Sequence, residues 1–205
     1  MELEKRNTLI LSVAQGLSIT TTSINMINTG LVGAMLATNP SYSTIPLSLQ
    51  FLTIALTLIP VSLLMGKFGR RSMFLLGSLA AFIGCLIIAF SIIDKSFYLF
   101  ILGSIFLGFS QANQQFYRYA AADNVSNNLK SKAISLVLAG GVIAAVVGPE
   151  VSRYSFDLFP DYIYLATYLL AASIQIINFT ILIFIKIKKP GVTAKKIRPL
   201  KDILI

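Results

Sequence analysis

No stretch of this chain restricts its fold more than Asn7 to Gly66, 60 residues without one Asp, Glu, Lys or Arg. As a single α-helix the run would be about 90 Å long, roughly three times the hydrocarbon core of a bilayer, so it has to double back. The place to turn is where Pro40 and Pro46 bracket a polar cluster of Ser41, Tyr42, Ser43 and Thr44, a combination that ends helices. Four further uncharged runs are Ser72–Ile93, Ser96–Tyr117, Ala133–Pro149 and Tyr162–Ile185. Each is close to the roughly 20 residues of a membrane helix. The composition agrees: 56% of residues are hydrophobic and 12% charged, against about 25% charged in a soluble domain. A soluble enzyme, a nucleic-acid binder and a disordered chain are thereby excluded.

Backbone groups in hydrocarbon find no water, so the spans are expected to be helices. The period-two alternation of a β-barrel is not seen. The chain is expected to be an all-α membrane protein of six spans, near 8–37, 43–65, 72–93, 97–121, 132–154 and 162–186. These form one bundle over residues 1–187, with a basic tail at 188–205. Lys5-Arg6 before Leu9–Ala14 resembles the start of a signal peptide. Polar residues recur through that span and it contains no obvious small-x-small cleavage site, so it is read as a retained span.

Six spans put both termini on one side, and Lys and Arg choose which. Lys5, Arg6, Lys67, Arg70, Arg71, Arg118, Lys130, Lys132 and seven residues from Lys186 to Lys201 share it, 15 of 17; Lys95 and Arg153 stand opposite. Both termini are therefore expected in the cytoplasm, with the chain integral to the inner membrane. The net charge of +9 reads as topology, not as affinity for nucleic acid.

There is no His, and Cys85 is the single cysteine. An intrachain disulfide is impossible, and no metal site or cofactor is expected. Without His, and without Asp or Glu in mid-span, the usual intramembrane hydrolase arrangements cannot be built, so no enzyme activity is expected.

Inside the spans the informative residues are polar. Gln15, Ser18, Thr22, Asn25 and Thr29 are spaced +3, +4, +3, +4; Ser104, Gly108, Gln111, Gln115 and Arg118 are spaced +4, +3, +4, +3. Each set falls on one helix face. Such residues either bond neighbouring helices together, at under about 2 kcal/mol each, or line a watery cavity for a small polar or anionic solute. The candidate cavity residues are Gln15, Thr22, Asn25, Gln111, Gln115 and Arg118. Arg118 either faces that cavity or snorkels to the membrane surface. In the fifth span, Gly140, Gly141, Gly148 and Pro149 read as close helix packing with a kink, or as a gate that bends there.

Between spans two and three the chain runs Ser62-Leu-Leu-Met-Gly66-Lys67-Phe68-Gly69-Arg70-Arg71. Gly69 suits a tight reversal. Lys67, Arg70 and Arg71 either anchor the loop or pair with an acid, for which Asp123 at the end of the fourth span is the candidate. The spacing resembles the loop motif of the major facilitator superfamily, G-x-x-x-D-[RK]-x-G-[RK]-[RK]. Lys67, Gly69, Arg70 and Arg71 match it, while Ser62 and Gly66 stand where the first Gly and the Asp would be. Gly140–Pro149 is similar to the glycine-rich motif of the fifth span in that family. Gln115–Asp123 with Lys132–Gly141 is similar to a bacterial permease subgroup. The family Arg early in the fourth span is Ser104 here.

The resemblance implies a fold of 12 helices in two halves, each built of two inverted three-helix repeats, with helices 1 and 4 lining a central cavity. It implies an N-terminal half transporter working by alternating access in a lipid bilayer. The expected partners are a small-molecule solute and a second six-helix half, from a separate chain or from a second copy in a parallel homodimer. The other outcomes are a non-transporting remnant, or a membrane scaffold whose basic tail engages anionic lipid.

Overall fold

The computed structural model describes residues 2–187; the basic tail, 188–205, lies outside the described residues. All regular structure described is helical: α1 (Glu2–Leu36), α2 (Ile45–Phe68), α3 (Arg70–Ile93), α4 (Phe97–Gln114), α5 (Tyr117–Asp123), α6 (Lys130–Ser155) and α7 (Leu165–Ile183), with 3-10 turns at Pro40–Tyr42 and Asn127–Leu129. Helices α1, α2, α3, α6 and α7 are long and apolar enough to cross a membrane. Helix α4 has 18 residues and ends in the polar sequence Ser-Gln-Ala-Asn-Gln.

The turns have local causes. Between α1 and α2, the Asn39 side chain accepts from the Ser41 N–H at 2.9 Å, and Pro40 and Pro46 open the next helical segments. Between α2 and α3 a single residue, Gly69, reverses the chain at φ 87°, a region that a side chain would strain. The stretch expected as one span over 97–121 is two helices, α4 and α5. At the break the Phe116 N–H turns to the Asn113 carbonyl at 3.1 Å, a tighter bond that shifts the helix register.

Helix α1 packs mainly on α6 and α7, α4 on α2 and α3, and α3 on α7, while α1 and α4 touch only lightly. The α1–α6 contact is close because α6 is glycine-rich. A Cβ at Gly140 would strike the Ser12 carbonyl, one at Gly141 would meet Ile19, and one at Gly148 would lie 2.6 Å from Ser23 Cβ. The helix runs through Pro149 without ending.

Two apolar clusters form the core. One lies toward the end of the bundle that carries most of the Lys and Arg, and contains Leu11, Met65, Phe74, Tyr117, Val137 and Leu182. The other lies toward the opposite end and contains Ile24, Val32, Cys85, Ile88, Phe100 and Tyr168. Along α1, α3 and α7 a polar stretch separates them: Ser18, Thr21 and Asn25; Ser78; Gln175 and Asn178, all buried.

Candidate functional site

Helix α1 is the hub of this polar layer. Asn25 Nδ2 donates to Gln50 Oε1 of α2 at 2.6 Å, and the Tyr168 hydroxyl of α7 donates to Asn25 Oδ1 at 3.0 Å. Gln175 Nε2 donates to Thr21 Oγ1 at 2.8 Å, and Asn178 Nδ2 to Ser18 Oγ at 3.0 Å. Asn28 Nδ2 donates to Ser152 Oγ of α6 at 2.7 Å. The bond to α4 is Gln111 Nε2 to Thr22 Oγ1 at 3.1 Å. One helix is thus bonded through side chains to four others.

Beside the Thr22–Gln111 contact lies a small void of about 10 Å³, lined by Ser18, Thr21, Thr22, Ala81, Leu107, Ser110, Gln111, Gln114 and Gln175. Its volume is about that needed for one water. Seven of its nine lining residues are hydroxyls or carboxamides, so it offers both donors and acceptors and no charge.

The six residues expected to line a cavity are sorted by their surroundings. Thr22 and Gln111 meet directly. Gln15 faces α6 beside Gly141, with its Oε1 buried and unbonded among the described residues. Asn25 is 1% exposed, held between Gln50 and Tyr168. Gln115 lies exposed at the α4–α5 break. Arg118 stacks over the Tyr119 ring at 4.9 Å, and its buried Nε has no partner among the described residues. The fourth-span stripe keeps its helical spacing from Ser104 to Gln111 and is broken only beyond the end of α4. Gly108 abuts Gln50 and Thr53 of α2, Ser104 bonds back to the Phe100 carbonyl, and the break at 115–116 re-aims Tyr117 and Arg118.

Gln50, Tyr168 and Gln114 are not among the residues expected from the sequence, yet they complete the layer. Gln50 carries a signal: it is the only carboxamide in α2 and lies three and seven residues before Thr53 and Thr57. Tyr168 carries none, since an aromatic in an apolar run reads as core.

The basic end is tied by polar contacts between helix ends. Arg70 Nη2 donates to Asp123 Oδ2, an ion pair whose side chains are 27% and 58% exposed. Arg71 Nη2 donates to the Ile183 carbonyl at 2.6 Å. Asn7 donates to the Lys186 carbonyl at 2.8 Å and accepts from its N–H at 3.3 Å. Lys67 lies over the Phe68 ring at 5.3 Å. A cavity of about 1000 Å³ opens here, walled by Asn7, Ser62, Gly66, Arg70, Tyr119 and Asp123 among others. None of the six expected cavity residues lines it.

A family model described as Major Facilitator Superfamily matches residues 11–204. The chain is also similar to a curated protein, "Riboflavin transporter RfnT" from Brucella anthropi, with 35% identity over 204 residues. The match takes in 98% of this chain and 51% of that protein, so the chain spans about half the length of the curated relative it matches.

Proposed function

Because the chain belongs to the major facilitator superfamily, we propose that its bundle is one half of a secondary transporter, moving a small polar solute by alternating access with a second six-helix bundle. That bundle resides on the same polypeptide, on a separate one or on a second copy. The observation that carries the reading is the α1–α4 contact. At mid-bundle, Thr22 and Gln111 meet over an uncharged polar void. Two helices that touch lightly, with neutral polar groups between them, form a seam that can part to admit a solute.

Several features support the wider proposal. Helix α4 with its continuation α5 serves as the fourth of six spans. Exchanging α1 with α4, α2 with α6 and α3 with α7 maps the main helix contacts onto one another. That is the pattern expected of two inverted three-helix repeats. Only 11% of the most apolar stretch of α2 and 22% of that of α6 is buried, against 44–56% for α1, α3 and α7. These two helices are free to meet a second bundle. The bias of Lys and Arg to one end supports an inner-membrane topology with both termini cytoplasmic.

At that end the Arg70–Asp123 pair is exposed enough to contribute under about 1 kcal/mol. A contact that weak can open and reform in each cycle, which suits a gate. Its Asp comes from α5, so it serves in place of the motif acid that Gly66 replaces. The glycine-rich α1–α6 seam, with Gly140, Gly141 and Gly148, keeps these helices moving as one unit.

The relative's name makes riboflavin the first probe. Hydroxyls and carboxamides are the groups that would bond the hydroxyl chain and the carbonyl-rich edge of such a molecule. Cells expressing the native protein should accumulate labelled riboflavin, or another neutral polar solute from a competition panel. Gln111→Ala should cut uptake about tenfold, the loss of one solute hydrogen bond, at unchanged protein level. Undiminished uptake by both Gln111→Ala and Thr22→Val would sink the assignment of the seam.

A further inference from the structure

On the outside of the bundle at its basic end, Arg6 of α1, Arg71 of α3 and Lys186 beyond α7 line a pocket of about 490 Å³. Its remaining walls are Ile183, Phe184 and Ile185, and no carboxylate lines it among the described residues. The cations are held together by the contacts around them. Arg71 donates to the Ile183 carbonyl at 2.6 Å, which fixes its guanidinium over the pocket and leaves further donors for a ligand. Asn7, next to Arg6, clasps the Lys186 backbone by two hydrogen bonds. Helix α3 begins at Arg70, so its first N–H groups, which lack intrahelical acceptors, add partial positive charge.

The helices whose ends form the pocket also carry exposed apolar side chains. Ile176, Ile177 and Ile183 of α7 and the adjoining Phe184 are exposed, as are Leu76 and Leu79 of α3. Three cations at helix ends, with no carboxylate among the described residues lining the pocket and with exposed apolar side chains on the same helices, match a phosphate with acyl chains beneath it. We propose that this pocket binds the phosphodiester headgroup of an anionic phospholipid, with an acyl chain lying along α3 and α7. Inorganic phosphate would meet the same cations but leave the wall unused.

Native mass spectrometry of the full chain, purified in detergent with phosphatidylglycerol and phosphatidylcholine, tests this. The expected result is selective retention of phosphatidylglycerol. Arg6→Gln and Lys186→Gln should each weaken it about fivefold, the fold-change for about 1 kcal/mol per charge. Both variants keep the Asn7 clasp and the Arg71 bond, so both should elute as the wild type does. Lys130→Gln with Lys132→Gln, at the same end but outside the pocket, should retain lipid fully. Millimolar inorganic phosphate should not displace it; displacement would overturn the lipid in favour of free phosphate. Equal retention by Arg6→Gln, Lys186→Gln and wild type, or equal loss in the Lys130/Lys132 variant, would overturn the site itself.

Discussion

Asn25 and Gln111 belong to the two polar stripes, yet they should fail in different ways when truncated. Asn25→Ala leaves Gln50 Oε1 and the Tyr168 hydroxyl without the partner each now has. Orphaned buried polar groups cost about 1–3 kcal/mol, so the midpoint of denaturation in detergent should fall clearly. Gln111→Ala removes one bond at 3.1 Å from a partly exposed residue, worth under about 1 kcal/mol. Its midpoint should hardly move while solute uptake falls. Equal losses of stability in the two variants would contradict the division between core and seam. Arg70 and Asp123 give a second residue-level test. Arg70→Asp and Asp123→Arg should each lower uptake, and the double reversal should restore it. Additive losses without rescue would count against the pair as a gate. Helical spacing makes the polar positions on α1 legible, but not their fates. Periodicity says which residues share a face, whereas Asn25 and Thr22 differ in what stands opposite them. Asn25 is bonded at once by Gln50 of α2 and Tyr168 of α7, whereas Thr22 meets Gln111 of α4 alone.

At the scale of elements, the helix ends between residues 36 and 93 fall at the prolines, the glycine and the Asp94-Lys95 charges. Gly69 is the whole of the α2–α3 turn, at φ 87°. Gly69→Ala should cost about 1–3 kcal/mol, read as a lower midpoint of denaturation. An unchanged midpoint would show that the turn relaxes freely. Gly140→Val places a side chain against the Ser12 carbonyl, where backbone cannot give way. Overpacking of that kind costs about 1–3 kcal/mol and should loosen α1 from α6, seen as faster hydrogen exchange in both helices. The α4–α5 break is not legible in the sequence. No Pro or Gly marks Gln115-Phe116, and the local sequence reads as a continuous helix. The break arises from tertiary demands: Tyr117 is buried against Phe74 in an edge-to-face contact, ring centroids 4.6 Å apart, while Gln115 stays exposed.

For the molecule as a whole, a polar layer lies between two apolar clusters, an arrangement compatible with the proposed opening of the bundle. The clusters hold each end, and side-chain bonds hold α1 to α2, α6 and α7. The thin α1–α4 contact, bonded through Thr22 and Gln111, is the seam proposed to part. The membrane class of the chain and its basic end are legible from charge alone, because charges are expelled from hydrocarbon. The helix neighbours are not, because uniformly apolar faces do not specify partners. Nor is the large cavity at the basic end, since it is formed by helix ends far apart in sequence. Transport through this bundle requires that the α1–α4 seam admit water and solute. Cys85 is fully buried, so an introduced thiol is the reactive one. The direct test is labelling of Thr22→Cys and Gln111→Cys in native membranes with a charged, membrane-impermeant thiol reagent, beside Leu170→Cys on the outer face of α7. Positions 22 and 111 should react, transported solute should protect them, and position 170 should not react. If Thr22→Cys and Gln111→Cys prove as inert as Cys85, the seam is closed packing and does not carry solute.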